Sequence, residues 1–592
     1  MSSPPTSPPA AKRLKLESDS GAPATTASPV KVNGHQLSEP TSAIATPAAS
    51  SAPSFPGDNV ASTSAQRAEN DGDDDEDEPE EVKADEQEVV AHRDMYLDTV
   101  SRQNLDFDFE RLCSKSLSNI NVYACLVCGK YFQGRGRGSW AYRHAVGENH
   151  RVWLNLATEK FYVLPEGYPV SDPSLNDIIH VLNPRYKPSN LAKLSKLSEP
   201  SYTLSSQPYR PGYIGINNIK RNDYANVILQ LLLHVPPIRT FLLNPNQPEL
   251  QDERKPTELV KRLATLARRL WNPRLFKAQI SPHEFMQEVS KRSNGKFKST
   301  EQGDPVEFLG WLVNTLHRDL GGSKKRNSSI IYSTFQGKVQ IETQQIITHK
   351  EYARPVFEPG RDIQTVSSPF LFLALDLPAT PLFTDMNEKK IIPQVPLSTI
   401  LAKFDGNTTQ EFGPTLKRHH LTMLPQYLIL HIKRFTKNNF VEERNPTVVN
   451  FPLRGVDVRE YVDPKPTDPM HTVYDLLSNV TLDTAASTTK TNTSQSLKKK
   501  RDTDEAPLTW KIHVRAGQLQ AANGVGNQEG SEGEKWLEMQ DLRVEEVTKE
   551  IVFLGETVIQ VWERRDLSTA TEDGPSGQMP MWVLADTIIR ST

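Results

Sequence analysis

GINNIKRNDYANVILQ, residues 215–230, decides how the rest of the chain is read. It opens with Gly and two Asn, residues that favour turns, and closes with Val227, Ile228, Leu231 and Leu232, which share one face at helical spacing. A helix is therefore expected from Asp223 to His234. Asp223 stands at its start, where a side-chain oxygen can accept from the unpaired N–H groups of the first turn, worth about 0.5–2 kcal/mol. A cysteine at such a place would have its thiolate stabilised by the same helix end. The chain has only Cys113, Cys125 and Cys128, all N-terminal to this segment.

At 592 residues the chain exceeds one ordinary hydrophobic core, so two folded units plus unstructured sequence are expected. A formal net charge of -4 supplies no global field for nucleic acid or anionic membrane, so any RNA contact is expected to be indirect, through protein partners. Three clustered cysteines do not make a disulfide framework and point to a reducing compartment. There is no apolar segment near Met1 and no run of roughly 18 apolar residues, so no membrane association is expected.

Four divisions follow from composition. Residues 1–90, rich in Ser, Pro, Ala and Thr and then acidic from Asp71 to Glu81, lack the large apolar residues that offset chain entropy and are expected to be disordered. Within them Pro9–Glu17, PAAKRLKLE, resembles a nuclear import signal, and Lys498–Arg501 is a second basic cluster. Residues 95–200 form a first module plus connector, in which Arg151–Leu156 and Lys160–Leu164 read as strands and Leu191, Leu194 and Leu197 as a short helix. Residues 206–566 begin with helices at Asp223–His234 and Thr257–Trp271, and two more start at Ser281-Pro282 and Asp304-Pro305. Alternation then takes over in Phe335–Ile341, Phe370–Leu377, Tyr427–Phe435, Val473–Val480, Trp510–Val514 and Glu556–Trp562. Helices first and a largely antiparallel sheet later make the fold class α+β. Thr484–Glu505 and Gly517–Glu534 read as polar loop insertions, and 567–592 as a tail in which Met581–Leu584 is apolar.

Cys125-x2-Cys128 is followed, after fifteen intervening residues, by His144 and, after five more, by His150. A C-x2-C turn with an H-x5-H pair supplies the four N/S donors of a tetrahedral structural zinc site, so one zinc ion on Cys125, Cys128, His144 and His150 is expected. Four protein ligands would leave no open position for a reacting water. Cys113 is left as a core thiol, an additional ligand or the remnant of a second site. His419-His420 alone is not a site.

Several segments resemble one family. GINNIKRNDYANVILQ is similar to the opening box of the ubiquitin-specific proteases, G-L-x-N-x-G-N-T-C-Y-x-N-x-x-L-Q, with Asp223 in the position of the cysteine. QGDPVEFLGWLVNTLHRDL at Gln302–Leu320 resembles that family's Q-x-D-A-x-E-F-L helix, and LPQYLILHIKRF at Leu424–Phe435 its L-P-x-x-L-x-L-H-L-K-R-F strand. Leu105–Gly136 resembles the ubiquitin-protease type of zinc finger, with Lys130 where family members that clasp the ubiquitin tail have arginine. A lysine lacks the fork that matches a carboxylate.

The resemblance implies a papain-like fold of helical thumb and β-rich palm and fingers, preceded by the small zinc module. It also implies the catalytic positions, and each is replaced: Asp223 for the nucleophile, Thr509 for the general base, and Gln540, with Asp541 beside it, for the orienting acid. His513 lies four residues late, about 13 Å along a strand, out of proton-transfer reach of the slot. Loss of any triad member costs orders of magnitude, so no catalytic residue is expected. The finger joined to N-D-Y-A-N is similar to the inactive, splicing-associated branch of the family. That implies a nuclear, non-enzymatic protein whose partners are the tri-snRNP, the particle of three small nuclear ribonucleoproteins, and other spliceosomal proteins. The competing expectations are a ubiquitin reader without cleavage and an active deubiquitinase.

Overall fold

A computed structural model describes residues 95–565 apart from 192–193, 195–199, 245–246, 248–249, 251–256, 346, 349–354, 357–362, 380–392, 438–441, 468, 484–507 and 517–534. The tail 1–90 with Pro9–Glu17, the insertion at Thr484–Glu505 with Lys498–Arg501, the insertion at Gly517–Glu534 and the segment Met581–Leu584 lie outside the described residues.

The first sheet has the order β2-β1-β3-β4-β5, with β1 Val122–Cys125, β2 Tyr131–Gln133, β3 Val152–Asn155, β4 Phe161–Val163 and β5 Tyr168–Val170. Between β2 and β3 runs α1, Trp140–Glu148, capped by Ser139, whose side chain accepts from the Tyr142 amide. The connector holds helical turns ahead of the short helix expected at Leu191. Pro173–Leu175 and α2, Asn176–Leu182, place Leu175, Ile178 and Leu182 in one core with Leu105, Phe107, Val122 and Leu154. A helix spans Pro188–Leu191, at the start of the stretch expected to be helical; Leu197 and most of residues 192–199 lie outside the described residues.

The segment LDFDFE, Leu105–Glu110, joins this module to the next. Asp108 is 3.2 Å from Arg269 and accepts from the Ser281 amide at 3.0 Å, while Asp106 meets Lys277 at 3.2 Å. Phe276 adds its ring to the first module's core. Burial pushes the Asp108 carboxyl up to about 6, against the pull of Arg269.

The helices follow as the apolar stripes require: α3 Asp223–Leu233, α4 Pro236–Leu243, α5 Glu258–Leu270, α6 His283–Arg292 and α7 Pro305–Asp319. α3 is buried along its whole length because it is enclosed by the other helices on one side and sheet residues such as Val480 and Ile512 on the other. Asp304 caps α7 through Val306, as its D-P-x-E pattern suggests. At Ser281-Pro282 the proline is itself the capping position, and α6 begins one residue later than expected.

Two larger sheets follow, beside several two-stranded ones. One has the order β7-β6-β10-β9, with β6 Gly337–Gln345, β7 Gln364–Phe370, β9 Gln410–Phe412 and β10 Thr415–Met423. The other, eight-stranded, contains β8 Leu373–Asp376, β11 Tyr427–Lys433, β12 Val456–Asp457, β13 Val473–Asp483, β14 Thr509–Arg515, β15 Trp536–Gln540, β16 Arg543–Val547 and β17 Glu556–Arg564. Its order is β8-β11-β17-β13-β14-β15-β16, with β12 on β13, and only the β8–β11 pair is parallel. The α+β class is as expected. Arg434, at the end of the H-I-K-R-F run, is 1% exposed and donates to the carbonyls of Thr557, Asn445 and Thr447. It satisfies these three backbone oxygens, and burial draws its own pKa down to about 10.

Candidate functional site

The turn that leads into α3 is built from amide side chains. Asn222 accepts from the Ile219 amide at 2.7 Å and donates to Asn226 Oδ1 at 2.9 Å, and its own amide bonds to Asn218 Oδ1 at 3.1 Å. Asn226 and Asn218 then reach across the chain to the two oxygens of Asp541, at 2.8 and 2.9 Å. The Ile216 amide bonds the Asp541 carbonyl, and a Cβ on Gly215 would stand 2.6 Å from the Leu542 backbone, so only glycine admits that approach. The paired asparagines of GINNIKRNDYAN thus tie two segments more than 300 residues apart.

Asp223 sits inside this frame at 4% exposure. The capping role expected from its place in sequence is corrected by the structure. Asn222 is the residue before the helix and its side chain makes no cap bond. Asp223 is the first helical residue, and its Oδ2 accepts from the Trp510 backbone amide at 3.1 Å. Burial pushes its carboxyl above the usual range; Gln302 pulls the other way, and the Asp541 charge adds to the rise. Gln302-Gly303-Asp304 closes the wall: a Cβ on Gly303 would stand 2.7 Å from the Tyr224 ring, so the glycine lets that ring pack flush.

The structure brings the other two expected positions to the same end of the large sheet. Thr509 pairs with Asp483 across β13 and β14, and Gln540 donates to Asp483 Oδ2 at 3.0 Å. Asp483 was missed by motif reading, because nothing in the sequence announces that the end of β13 faces both positions. His513 faces Asn479 and Glu538 further along β14, is fully buried, and its Nε2 lies 3.1 Å from Glu538 Oε2. With Lys511 at 3.0 Å from the same carboxylate, this cluster holds Glu538 down at about 2, the His513 hydrogen bond being the main cause. The imidazole is engaged inside the sheet and is not presented to Asp223.

Chemically, an acyl-transfer site needs a nucleophile, a base within hydrogen-bond reach and a group that orients the base. Here the three positions hold a buried carboxyl bonded to a backbone amide, a hydroxyl and an amide.

The second constellation is in the first module. Donor atoms of Cys125, Cys128, His144 and His150 all lie within 4.8 Å of one another. Tetrahedral zinc with bonds near 2.0–2.3 Å needs donors about 3.3–3.8 Å apart, so this set fits a structural ion. The C-x2-C turn closes through Gly129 N to Cys125 O at 2.9 Å, and Gly129 has φ 74° with Asn104 O directly against it. Phe132 stacks on the His144 ring at 4.4 Å, and Trp153 Nε1 donates to the His150 carbonyl at 2.9 Å, holding the main chain there. Hydrogen bonding from the Cys125 thiol draws Cys128 down to about 4 and pushes Cys125 up. Cys113 is outside this group. It is buried, and its sulfur accepts from the Ser116 amide at 3.4 Å. His419 and His420 lie on β10 opposite Ile341 and Gln340.

With both constellations in view, the comparisons with known proteins are direct. The family model for ubiquitin carboxyl-terminal hydrolase matches residues 214–573, and the model for the zinc finger in ubiquitin hydrolases and other proteins matches 113–175. The chain belongs to the ubiquitin carboxyl-terminal hydrolase family. It is 44% identical over 493 residues to human ubiquitin carboxyl-terminal hydrolase 39, covering 81% of each chain. It is 43% identical over 491 residues to the probable mRNA-splicing protein ubp10 of Schizosaccharomyces pombe, covering 82% of this chain and 91% of that one. Among solved structures, an essential yeast splicing factor aligns with a TM-score of 0.60 at 30% identity, over 79% of this chain and 99% of that one. Along about four fifths of its length the chain therefore keeps company with splicing factors that carry a ubiquitin-specific-protease fold.

Proposed function

We propose that this protein is a non-catalytic pre-mRNA splicing factor that uses an inactive ubiquitin-protease fold as a protein-binding scaffold in the nucleus, supporting assembly or maintenance of the tri-snRNP. The observation that carries the reading is at Asp223: the nucleophile position holds a carboxylate, 4% exposed and bonded to the Trp510 amide. A carboxylate is a poor nucleophile toward amides, and Thr509 and Gln540 supply neither base nor orienting acid. The splicing and nuclear part of the reading rests on the relatives. Cys125, Cys128, His144 and His150 hold one structural zinc ion in this reading, and 95–200 and 206–566 are its two working modules.

Two measurements test it together. Pure protein incubated with di-ubiquitin and with a ubiquitin bearing a C-terminal electrophile is expected to give neither cleavage nor adduct, and either product overturns the non-catalytic assignment. Affinity purification from nuclear extract is expected to recover tri-snRNP proteins and their RNAs. Recovery of ubiquitin conjugates alone would replace the scaffold with a ubiquitin reader.

A further inference from the structure

From Cys113 to Gly147 there is no Asp or Glu, while Lys115, Lys130, Arg135, Arg137 and Arg143 fall inside it, in a chain whose net charge is -4. Three of those cations share one loop and the first turn of α1, and they alternate with rings. The Arg135 guanidinium lies over Tyr162 at 4.7 Å and that of Arg143 over Trp140 at 5.2 Å, with Arg137 exposed between them. Trp140 is 39% exposed and Tyr168, beside Arg135's backbone contact at Gly167, is 40% exposed. The backbone here is bare: a Cβ on Gly136 or Gly138 would meet nothing within 4 Å, so a ligand can approach the main chain closely.

We propose that this face, Arg135, Arg137, Trp140, Arg143, Tyr162 and Tyr168, binds single-stranded RNA. Alternating cations and exposed aromatic faces match the alternation of phosphate and base in a single strand, where bases stack on rings and on guanidinium planes without sequence preference. The surface is unlike a clasp for one peptide carboxylate, which needs a single converging fork rather than two guanidiniums committed to separate rings. A local patch of this kind acts irrespective of the global charge, since screening confines its field to about 10 Å.

The experiment uses full-length, zinc-loaded protein and a fluorescein-labelled 12-nucleotide oligouridine read by anisotropy. Wild type is expected to bind with an affinity that falls roughly fifteen- to twenty-fold between 50 and 200 mM salt, as about three phosphate contacts require. Trp140→Ala is expected to weaken binding at least fivefold through lost stacking, and Arg137→Ala with Arg143→Ala to flatten the log–log salt slope by about 1.4. Zinc content and melting temperature are measured on each variant; if Trp140→Ala loses zinc, the arginine pair, exposed on the loop and helix, decides. No binding by wild type overturns the proposal, and so does binding that these variants leave unchanged, which would place the RNA elsewhere on the chain. Displacement of the RNA by ubiquitin with a free C-terminal Gly-Gly, with ubiquitin binding itself abolished by the same variants, would also overturn it. These outcomes are independent of di-ubiquitin cleavage and of tri-snRNP recovery.

Discussion

The carboxylate of Asp223 and the backbone amide of Trp510, 287 residues apart, are joined by a 3.1 Å hydrogen bond inside the core. In an active enzyme of this family the corresponding strand would bring up an imidazole. Here the strand brings up its main chain, and Asp223 is a point of cohesion between the helices and the large sheet.

That role gives a graded mutational outcome. Asp223→Ala removes the acceptor from a buried amide and is expected to cost about 1–3 kcal/mol in urea unfolding. Asp223→Asn keeps an acceptor of the same shape and is expected to cost less. Because burial raises the folded-state pKa of Asp223, its favourable contribution is present when the carboxyl is protonated and is lost as pH rises through that raised value. The asparagine variant is therefore expected to gain on wild type as pH rises from about 4 toward 8.

Restoring a sulfur is not expected to restore catalysis. Asp223→Cys places a thiol at the helix start, but Thr509 cannot take its proton and His513 is held by Glu538 at 3.1 Å. Turnover of a fluorogenic ubiquitin amide by this variant is expected to stay at background. A rise of a hundredfold or more would show that another group acts as base.

The His513–Glu538–Lys511 cluster predicts an acid-sensitive term. Glu538 is held down at about 2, so its contribution is present above its ordinary value near 4.5 and fades as pH falls toward 2. Glu538→Gln is expected to lose about 1–3 kcal/mol at pH 7, because the charge-assisted bonds to His513 and Lys511 go with the carboxylate. The gap to wild type should narrow below pH 4.5; a gap that stays constant would mean that packing, not charge, is what the substitution removes.

Stripping zinc is expected to unfold the first module and to loosen its seat. Hydrogen exchange after chelation should speed up first in β1, β2 and β3. It should follow at Arg269 and Ser281, which Asp108 bridges. Total metal analysis is expected to give one zinc per chain, and His144→Ala is expected to bring the count near zero.

Much of this was legible in residue order. The stripe Val227, Ile228, Leu231 and Leu232 announced α3, the D-P-x-E pattern at Asp304 announced α7, and the spacing of Cys125, Cys128, His144 and His150 announced a cluster that the fold assembles within 4.8 Å. Other features were not legible for a common reason. The capping reading of Asp223 failed because local spacing gives the backbone of one helix only, and the competing donor, Trp510, comes from a distant strand. The helix Asn176–Leu182 was not legible because its apolar residues Ile178 and Leu182, with Leu175 before it, find their core on another element.

By itself the sequence determined what chemistry is missing: with no cysteine after Cys128 there is no thiol for any arrangement of residues 206–566 to present, whatever the fold. It also determined the helix-then-sheet order and the Cys/His cluster, because periodicity and ligand spacing are properties of neighbouring residues. Only the tertiary structure decided what replaced the missing chemistry. That Asp223 bonds the Trp510 amide, that Asn218 and Asn226 hold Asp541, and that Gln540 turns to Asp483 depend on strand register and on burial. Such contacts join positions far apart in the chain, and no local pattern encodes which of many possible partners the closed core will select.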